Sequence, residues 1–323
     1  MKFFRVPLAA SGLVILAGLA VAPAQTPTYP SRVIKIVVPF AAGGQPDVIA
    51  RLFAQHLATT IGPTIIDNRP GANTTIGTKI AAQADPDGHT LLYASATSLA
   101  LAPALSKVEY DPVKSFAPVA TFSTAPFVLI VGKTVPANTV GEFIAYAKAN
   151  PGKLNFAAPQ GGPPHLAGEL FKRAVGIDIV PVAYRTMNQA FTDLLAGQMD
   201  IIFDGPAALM PLIGEGKVRA LVSLGAKRIA ILPDLPTMAE SGLPNVQLTT
   251  WNGLAAPAGT PVPIITRLNA SINDALKSPE ILSALTKFAS EPLATTPQEF
   301  AGLIAVESKK WADVVKESGF KIE

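Results

Sequence analysis

Short apolar runs alternate along this chain with stretches in which apolar residues recur every three or four positions. The runs have the length of β-strands, and the spaced pattern is typical of amphipathic helices. Strands are predicted in the segments VIKIVVPF, TIIDN, HTLLYAS, FVLIVGK, LNFAAP, IDIVPVAY, MDIIFDG and KVRALVSLG. Helices are predicted over 46–59, after RPGANTT, and over 140–150, 164–175, 187–196, 263–276 and 297–318. This alternation predicts βαβ units, and therefore an α/β protein whose mostly parallel sheets are flanked by helices.

Two of the predicted strand-to-helix turns share one sequence pattern. FAAGGQPDVIARLF begins at residue 40 and FAAPQGGPPHLAGELF at residue 156. Aligning Gly43-Gly44 with Gly161-Gly162, an offset of 118, places Asp47 opposite His165. Each copy has proline at the predicted start of its helix, where a missing N–H costs no helical hydrogen bond. The pattern indicates two equivalent domains that direct helix N-termini at a shared cleft. Chance similarity between two ordinary turns remains the alternative.

Both turns have the features of an anion-binding site. Glycine lets the backbone turn sharply and approach a ligand closely. The free N–H groups and the dipole of a first helical turn favour a carboxylate or a phosphate. No GxGxxG follows a strand and no GxxxxGK[ST] occurs, so dinucleotide and P-loop sites are excluded by spacing. Asp47 places an acid beside the first turn, which disfavours a highly charged ligand, although a phosphate receptor stays open.

The beginning of the chain has the pattern of a secretory signal peptide. Lys2 and Arg5 are the only charges before a small and apolar run over 7–22, and Ala22-Pro23-Ala24 matches a signal-peptidase site. A membrane-spanning helix is the alternative, although the run is short for one. We therefore expect residues 1–24 to be a signal peptide, with cleavage near Ala24 and Gln25 and a periplasmic mature protein.

Composition excludes several classes of partner. Without Lys2 and Arg5, 24 basic residues face 23 acidic ones. We find no basic stripe with interleaved aromatics, so no nucleic-acid partner is expected. The absence of cysteine excludes disulfides, cysteine metal sites and a lipoprotein anchor. The three histidines are scattered, so we predict no metal and no cofactor. About 300 mature residues suffice for two domains with their own cores.

An enzyme needs a catalytic constellation that the sequence does not support. Ser95 or Ser98 could act with His165 and Asp204 in a secreted hydrolase, which is a remote alternative. No GxSxG elbow and no HExxH motif is present. These serines follow the end of a strand, where open α/β sheets place ligands. We therefore expect ligand contacts and no catalytic residue. Asp47 and His165 have helix capping as an equal alternative.

A series of motifs runs in order from about residue 29 to residue 323. They are IVVPFAAGG followed by DVIAR, NRPGA, PDGHTLL, YDPVKSFAPV, NPGKLNFA, HLAGELF, DLLAGQMDIIFD, GKVRALV, LPTMAESGLP and WNGLAAPAGTP. This series resembles the Bug/TctC family of extracytoplasmic solute receptors, which serve tripartite tricarboxylate transporters. The resemblance implies a two-domain, type II-like periplasmic-binding-protein fold with two crossover segments at its hinge. It also implies closure on a carboxylated ligand, often with ordered waters at the turns.

The crossovers are expected near 121–126 and 248–252. Domain 1 would then comprise 25–125 and 250–323, and domain 2 would comprise 126–249. Carried over by motif, the expected ligand-binding residues are Phe40, Ala42, Gly43, Gly44, Asp47, Ser95, Thr97, Ser98, Gly161, Gly162, His165, Tyr184 and Asp204.

Three segments depart from the family pattern. Gln45-Pro46 fills the gap between the first glycines and Asp47, where the family commonly has Gly, Ser or Thr. The second turn reads GGPP in place of a segment with Ser, Thr or Asn, and NRPGANTT replaces a more glycine-rich run. Fewer hydroxyls in the turns favour a ligand with an apolar body, such as an aromatic or longer-chain carboxylate.

The expected function is that of a solute-binding protein. It would capture a di- or tricarboxylate or an aromatic carboxylate and deliver it, as a monomer, to the permease subunits of a tripartite tricarboxylate transporter. A ligand-dependent receptor that activates a membrane sensor kinase would use the same site and stays open.

Overall fold

In this computed structural model, the described residues are Met1 and residues 29–159, 162–244 and 246–318. Apart from Met1, the predicted signal peptide lies outside them. None of the helices in these ranges combines the length and the hydropathy that a membrane crossing needs.

The described chain alternates strands and helices, largely as the apolar pattern predicts. The strands are β1 Ile34–Val38, β2 Thr64–Asn68, β3 Thr90–Ser95, β4 Phe116–Pro126, β5 Val128–Val131, β6 Leu154–Pro159, β7 Ile179–Tyr184, β8 Ile201–Asp204, β9 Arg219–Ser223, β10 Thr249–Pro257 and β11 Glu291–Pro292. The helices are α1 Gln45–Thr60, α2 Thr75–Ala82, α3 Ala102–Leu105, α4 Val140–Ala149, α5 Pro163–Val175, α6 Met187–Leu195, α7 Pro206–Gly214, α8 Val262–Ala275, α9 Pro279–Lys287 and α10 Pro297–Ser318. A π-helical turn, Thr97–Leu101, precedes α3.

The first sheet has six strands in the order β11-β4-β10-β3-β1-β2. β1 pairs in parallel with both β2 and β3, and its Val37 lies opposite Leu92 of β3. The chain therefore forms β2 on one side of β1 and then β3 on its other side. Ligands of open α/β sheets bind at such a switch point, beyond the carboxyl ends of the strands. The loops after β1 and β3 lie at this point.

The second sheet has five strands in the order β7-β6-β8-β5-β9. β6 is parallel to β7 and β8, whereas β5 is antiparallel to β8 and β9. The first sheet likewise adds β10, β4 and β11 to its parallel strands through antiparallel pairs, so that β4 again runs in the direction of β3. Both sheets are therefore mixed, and with their flanking helices they confirm the α/β fold class.

The chain crosses between the sheets at two adjacent places. It leaves the first sheet after β4 and enters the second at β5, with Phe127 between them. It returns after β9, ahead of β10. The Phe127 N–H donates to the Leu248 carbonyl at 3.2 Å, and the Leu224 N–H donates to the Phe127 carbonyl at 2.8 Å. Backbone hydrogen bonds thus tie the outgoing segment to the returning one.

Two long strands, β4 and β10, were not predicted from the sequence. Both contain proline, and β10 also contains glycine. These residues normally argue against predicting a central strand. Pro118 lies opposite Ala255, beside a shift in register, where a missing N–H is tolerated. A Cβ at Gly253 would lie 2.4 Å from the Ala120 carbonyl oxygen, so close packing requires glycine there. The helices α7 and α9 were also not predicted.

Aromatic side chains fill the space between sheets and helices. In the first unit, which is the first sheet with its flanking helices, Phe53 of α1 packs against Phe122 with ring centroids 4.4 Å apart. In the second unit, which is the second sheet with its helices, the ring centroids of Phe171 of α5 and Phe203 are 5.4 Å apart. The apolar cluster around Phe171 also includes Trp311 of α10, so the last helix packs against the second unit as well.

Candidate functional site

The turn after β1 forms an open loop that ends at the start of α1. Gly43 has φ of +81°, a left-handed conformation that a side chain would strain. Gly44 is the N-cap of α1, with φ −76° and ψ 169° and no side-chain cap. Phe40 is half-buried and packs edge-on against Tyr93 with centroids 6.1 Å apart, whereas Ala42 is exposed. The backbone of this turn is therefore accessible to a ligand.

The carboxylate of Asp47 stabilises the conformation of this turn. Its Oδ2 accepts hydrogen bonds from the Gly43 N–H at 2.9 Å and from Arg51 Nε at 3.0 Å. Its Oδ1 accepts one from Asn68 Nδ2 at 3.0 Å. Burial raises the pKa of this carboxyl, but the hydrogen bonds outweigh that effect and lower its pKa overall. Because Arg51 balances the charge of Asp47, the acid does not oppose an anion at the turn.

The first turn of α1 offers unused donors. In the described part of the chain, the N–H groups of Gly44, Gln45 and Asp47 have no hydrogen-bond partner. The next N–H, that of Val48, donates to the Gly44 carbonyl and begins the helical ladder. Free donors at a helix N-terminus favour a carboxylate or phosphate oxygen.

Ser95 at the end of β3 and Ser98 form hydrogen bonds with each other. Ser98 Oγ accepts the Ser95 N–H at 2.9 Å, and Ser95 Oγ accepts the Ser98 N–H at 3.1 Å. Both side chains are buried, and Tyr110 Oη donates to the Ser98 carbonyl at 2.7 Å. Thr97 between them is half-buried, and its hydroxyl has no hydrogen-bond partner within the described ranges. Of the three predicted contacts, Thr97 is thus the one with an available hydroxyl.

The second glycine turn begins α5 in the same way. Gly162 is its N-cap, with φ −76° and ψ 166°, and its N–H donates to the Pro159 carbonyl at 3.0 Å. Gly161 lies outside the described residues. Pro163 and Pro164 carry no N–H, so this turn has fewer donors than the first. His165 is buried, and its ring stacks on Phe156 with centroids 6.0 Å apart. Burial lowers the pKa of its imidazole.

Tyr184 and Asp204 end the strands on either side of β6. Pro159 lies opposite Tyr184 in the parallel pair, so both strands end beside the second turn. Tyr184 Oη donates to Asp193 Oδ2 at 2.6 Å, and burial together with that carboxylate raises the pKa of Tyr184 to about 12. Burial raises the pKa of Asp204 to about 6, although its Oδ1 accepts the Gly205 N–H at 2.7 Å. Tyr184, Asp204 and Gly162 therefore meet at one edge.

Sequence reasoning missed four polar residues at the first edge. Asn68 ends β2 and donates to both Asp47 and the Phe40 carbonyl. Asn252 lies opposite Ser95 in β10 and donates to Ser123 Oγ at 3.2 Å. Gln45 and Arg51 are the other two. Asn68 and Arg51 could have been found, because a polar residue at the end of a parallel strand and an acid–base pair four residues apart are visible in the sequence.

The described residues hold no group of three or more His, Asp or Glu side chains arranged for a metal ion. The polar groups at both edges are instead backbone N–H donors, hydroxyls, side-chain amides and two carboxyls, together with the side chains of Arg51 and His165. Such groups recognise a small polar ligand by hydrogen bonding. The chain thus has two mixed α/β units joined by paired crossovers, and its polar groups lie at strand ends and helix N-termini. This is the architecture of a solute-binding protein.

Comparison with known proteins identifies the family. The family model for the tripartite tricarboxylate transporter family receptor, TctC, matches residues 49–320. Protein BugT of Bordetella pertussis is 36% identical over 321 residues, which covers 98% of both chains. The chain therefore belongs to the Bug/TctC receptor family. Members of this family are periplasmic solute-binding proteins.

Two solved structures of similar chains contain carboxylates. MatC from Rhodopseudomonas palustris, with bound malate, is 36% identical with a TM-score of 0.71, covering 89% of this chain and 100% of that one. Rpa4515 from R. palustris, with adipate, is 33% identical with a TM-score of 0.74, covering 91% and 99%.

Proposed function

We propose that this protein captures a small organic carboxylate between two domains and delivers it to the permease subunits of a tripartite tricarboxylate transporter. The observation that carries this proposal is the pair of glycine-capped helices, because each directs its N-terminus from the carboxyl edge of a sheet. Malate and adipate bound to the similar proteins support a carboxylate as the ligand. We assign residues 25–125 and 250–323 to domain 1 and residues 126–249 to domain 2.

The donors of the two turns suggest an order of binding. The first turn has three free N–H groups, so it is the site at which a carboxylate oxygen binds first. The second turn lacks two donors because of its prolines, and it contributes mainly shape and the helix dipole. Closure about the crossovers at Phe127 and Leu248 brings the second turn onto the ligand. Binding free energy offsets the cost of this closure and shifts the population toward the closed state.

The remaining proposed features follow from the sequence. Removal of the signal peptide near Ala24 releases the mature chain into the periplasm. A monomer suffices, because one chain supplies both turns. The permease subunits would recognise the closed form. No residue is assigned a catalytic role, since the site groups serve binding.

A ligand screen tests this proposal. Purified mature protein is first unfolded and exchanged to remove ligand from the expression host, then refolded and melted with mono-, di-, tri- and aromatic carboxylates, phosphate and amino acids. A ligand at 100 times its dissociation constant adds about 2.7 kcal/mol. That corresponds to roughly 2–4 °C of melting temperature per kcal/mol for chains near this size. A carboxylate-selective shift supports the proposal. A shift with phosphate or an amino acid alone contradicts the ligand class.

A further inference from the structure

A cavity lies between elements of the two sheets. Its volume is about 280 Å³, and it opens between the segment 229–231, which follows β9, and a second wall formed by Thr286 in the last turn of α9 and by residues 289–292 after it. Ile229 belongs to the apolar cluster of the second sheet. Glu291 and Pro292 form β11, which pairs with β4 of the first sheet. The walls of this cavity therefore come from both sides of the crossovers.

The cavity adjoins the turn that carries the free donors. Gln45 is the first residue of α1 and follows Gly44 directly. Its Nε2 donates to Ser290 Oγ at 3.2 Å, and Ser290 is a buried residue of the cavity wall. One side chain thus spans the distance between the anion-binding turn and the cavity. A ligand whose carboxylate lies at the start of α1 has room for its other end here.

Apolar residues dominate the lining. Ile229, Ala230 and Ile231 form one wall, and Ala289 and Pro292 contribute to the other. Ala289 is buried and has φ of +50°, a left-handed conformation in which glycine is usual after a helix. An alanine there keeps a methyl group at a site where glycine would be less strained. This wall is therefore built for apolar contact.

The one charged side chain that lines the cavity would disfavour a negatively charged ligand group there. Of the described residues that line it, Glu291 is the one with a charged side chain, and no lysine or arginine is among them. A carboxylate placed in this space would meet a like charge, and none of the lining residues offers a cation to balance it. An uncharged end would meet mainly hydrocarbon.

We infer that the cavity binds the uncharged, apolar tail of a monocarboxylate whose carboxylate lies at the start of α1. This inference rests on the proposed function and narrows its ligand class. It separates this protein from the two similar structures, whose ligands, malate and adipate, carry a carboxylate at each end. The Gln45–Ser290 contact and Glu291 are the features of this chain on which the inference depends.

Isothermal titration calorimetry with butanoate, hexanoate, octanoate and adipate tests the inference on the mature protein. Affinity is expected to rise about fourfold per added methylene from butanoate to hexanoate. Adipate, the same length as hexanoate with a second carboxylate, is expected to bind at least tenfold more weakly. Adipate binding as tightly as hexanoate overturns the inference and leaves the proposed function standing. Binding of none of these four carboxylates, after ligand removal, overturns the inference, whereas the proposed function is overturned only if the wider carboxylate screen also shows no binding.

Matched variants connect the result to the cavity. Ile231→Ser is expected to lower hexanoate affinity five- to tenfold and to leave acetate affinity unchanged. Ala230→Asp, at an exposed position that tolerates a polar side chain, is expected to do the same if Ile231→Ser does not fold. The control Ile65→Ser removes an exposed isoleucine from β2 and should change neither affinity. Normal hexanoate binding by the folded cavity variants contradicts the inference.

The effect of the Glu291 charge on ligand selection is tested separately. Glu291→Gln is expected to raise adipate affinity about five- to tenfold without changing that of hexanoate, because it removes the like charge alone. Glu280→Gln, at an exposed residue in the first turn of α9, is the control and should alter neither. If Glu291→Gln leaves the adipate-to-hexanoate ratio unchanged, the charge does not select the ligand and the inference fails.

Discussion

Gly44 and Gly162 cap two helices in almost the same backbone conformation, with φ −76° in both and ψ of 169° and 166°. They lie 118 residues apart, after β1 of the first sheet and β6 of the second. Each is followed at the second helical position by proline, Pro46 and Pro164. This correspondence supports the interpretation of the repeated glycine pattern as two equivalent turns. Their donors differ, however, because α5 has a second proline, Pro163, at its first position.

The first prediction concerns the access of a ligand to the α1 turn. A Cβ at Gly44 would lie 3.6 Å from the Ala41 carbonyl oxygen, an ordinary contact, and its φ suits any residue. Gly44→Leu should therefore fold normally but cover the free N–H groups, and lower carboxylate affinity at least tenfold by calorimetry. Gly302→Leu, at an exposed glycine with open space around it, is the control. Carboxylate affinity unchanged in Gly44→Leu would place the ligand elsewhere.

The second prediction concerns Asp47, which holds the turn in shape. Asp47→Asn removes the charge that binds the Gly43 N–H and Arg51, and should lower the free energy of unfolding by about 1–3 kcal/mol at neutral pH. The folded-state pKa of Asp47 lies below its ordinary value of 3.8, so its contribution is complete above that value and is lost as pH falls through the folded pKa.

Urea unfolding of wild type and Asp47→Asn at a series of pH values from 7 to 3 measures this effect. The difference between them should be largest at neutral pH and shrink in the acid range. A difference that is constant over the whole series would show that Asp47 acts through packing and not through its charge. Ligand affinity should fall in the same variant, because the turn loses its support.

The third prediction concerns Asp204, whose pKa has the opposite shift. Burial raises its pKa from 3.8 to about 6, so its charged form is disfavoured in the folded state. The resulting penalty is absent below pH 3.8 and complete above about pH 6. Asp204→Asn should therefore be more stable than wild type at pH 7.5, by about 1–3 kcal/mol, and similar to it at pH 4.

Melting temperatures at these two pH values check that expectation. Asp85→Asn, at an exposed position, is the control for the loss of one surface carboxylate. Equal stability of Asp204→Asn and wild type at pH 7.5 would mean that the charged carboxyl is well solvated. A less stable variant would mean that its hydrogen bond with the Gly205 N–H outweighs burial.

The fourth prediction separates Thr97 from Ser98. Ser98→Ala leaves the buried Ser95 N–H without its acceptor and should cost about 1–3 kcal/mol of stability. Thr97→Val keeps the side-chain shape and removes a half-buried hydroxyl, so stability should change little while carboxylate affinity falls several-fold. Thermal melts and calorimetry on both variants distinguish these outcomes. Unchanged affinity in Thr97→Val would remove Thr97 from the site.

The parts of the fold that the sequence predicted are those with clear periodicity. The strand, glycine turn and helix at residues 33–59 and 154–175 are predicted because apolar runs and turn residues coincide there. β4 and β10 were missed because their prolines and Gly253 have reasons that lie in strand pairing and packing, which no local pattern shows. Likewise Ser95 and Ser98 occupy a predicted position, yet only their geometry shows that they bind each other.

Charge at the site was predicted incompletely for a similar reason. Asp47 was visible as an acid beside an anion-binding turn, but Arg51, four residues later, was not recognised as the base that balances it until the contact at 3.0 Å was seen. The contact between Gln45 and Ser290 joins residues 245 positions apart. Long-range contacts of this kind depend on the tertiary fold, so the sequence could predict the turn but not its surroundings.

The most direct test of the carboxylate-capture mechanism is a crystal structure of the mature protein with its tightest-binding carboxylate. We predict a carboxylate oxygen at hydrogen-bonding distance, about 2.7–3.2 Å, from the N–H groups of Gly44 and Gln45. Across the ligand, we predict the N-terminus of α5, beginning at Gly162. A carboxylate bound away from the start of α1, or one that contacts a single unit in a closed form, would contradict capture between two turns.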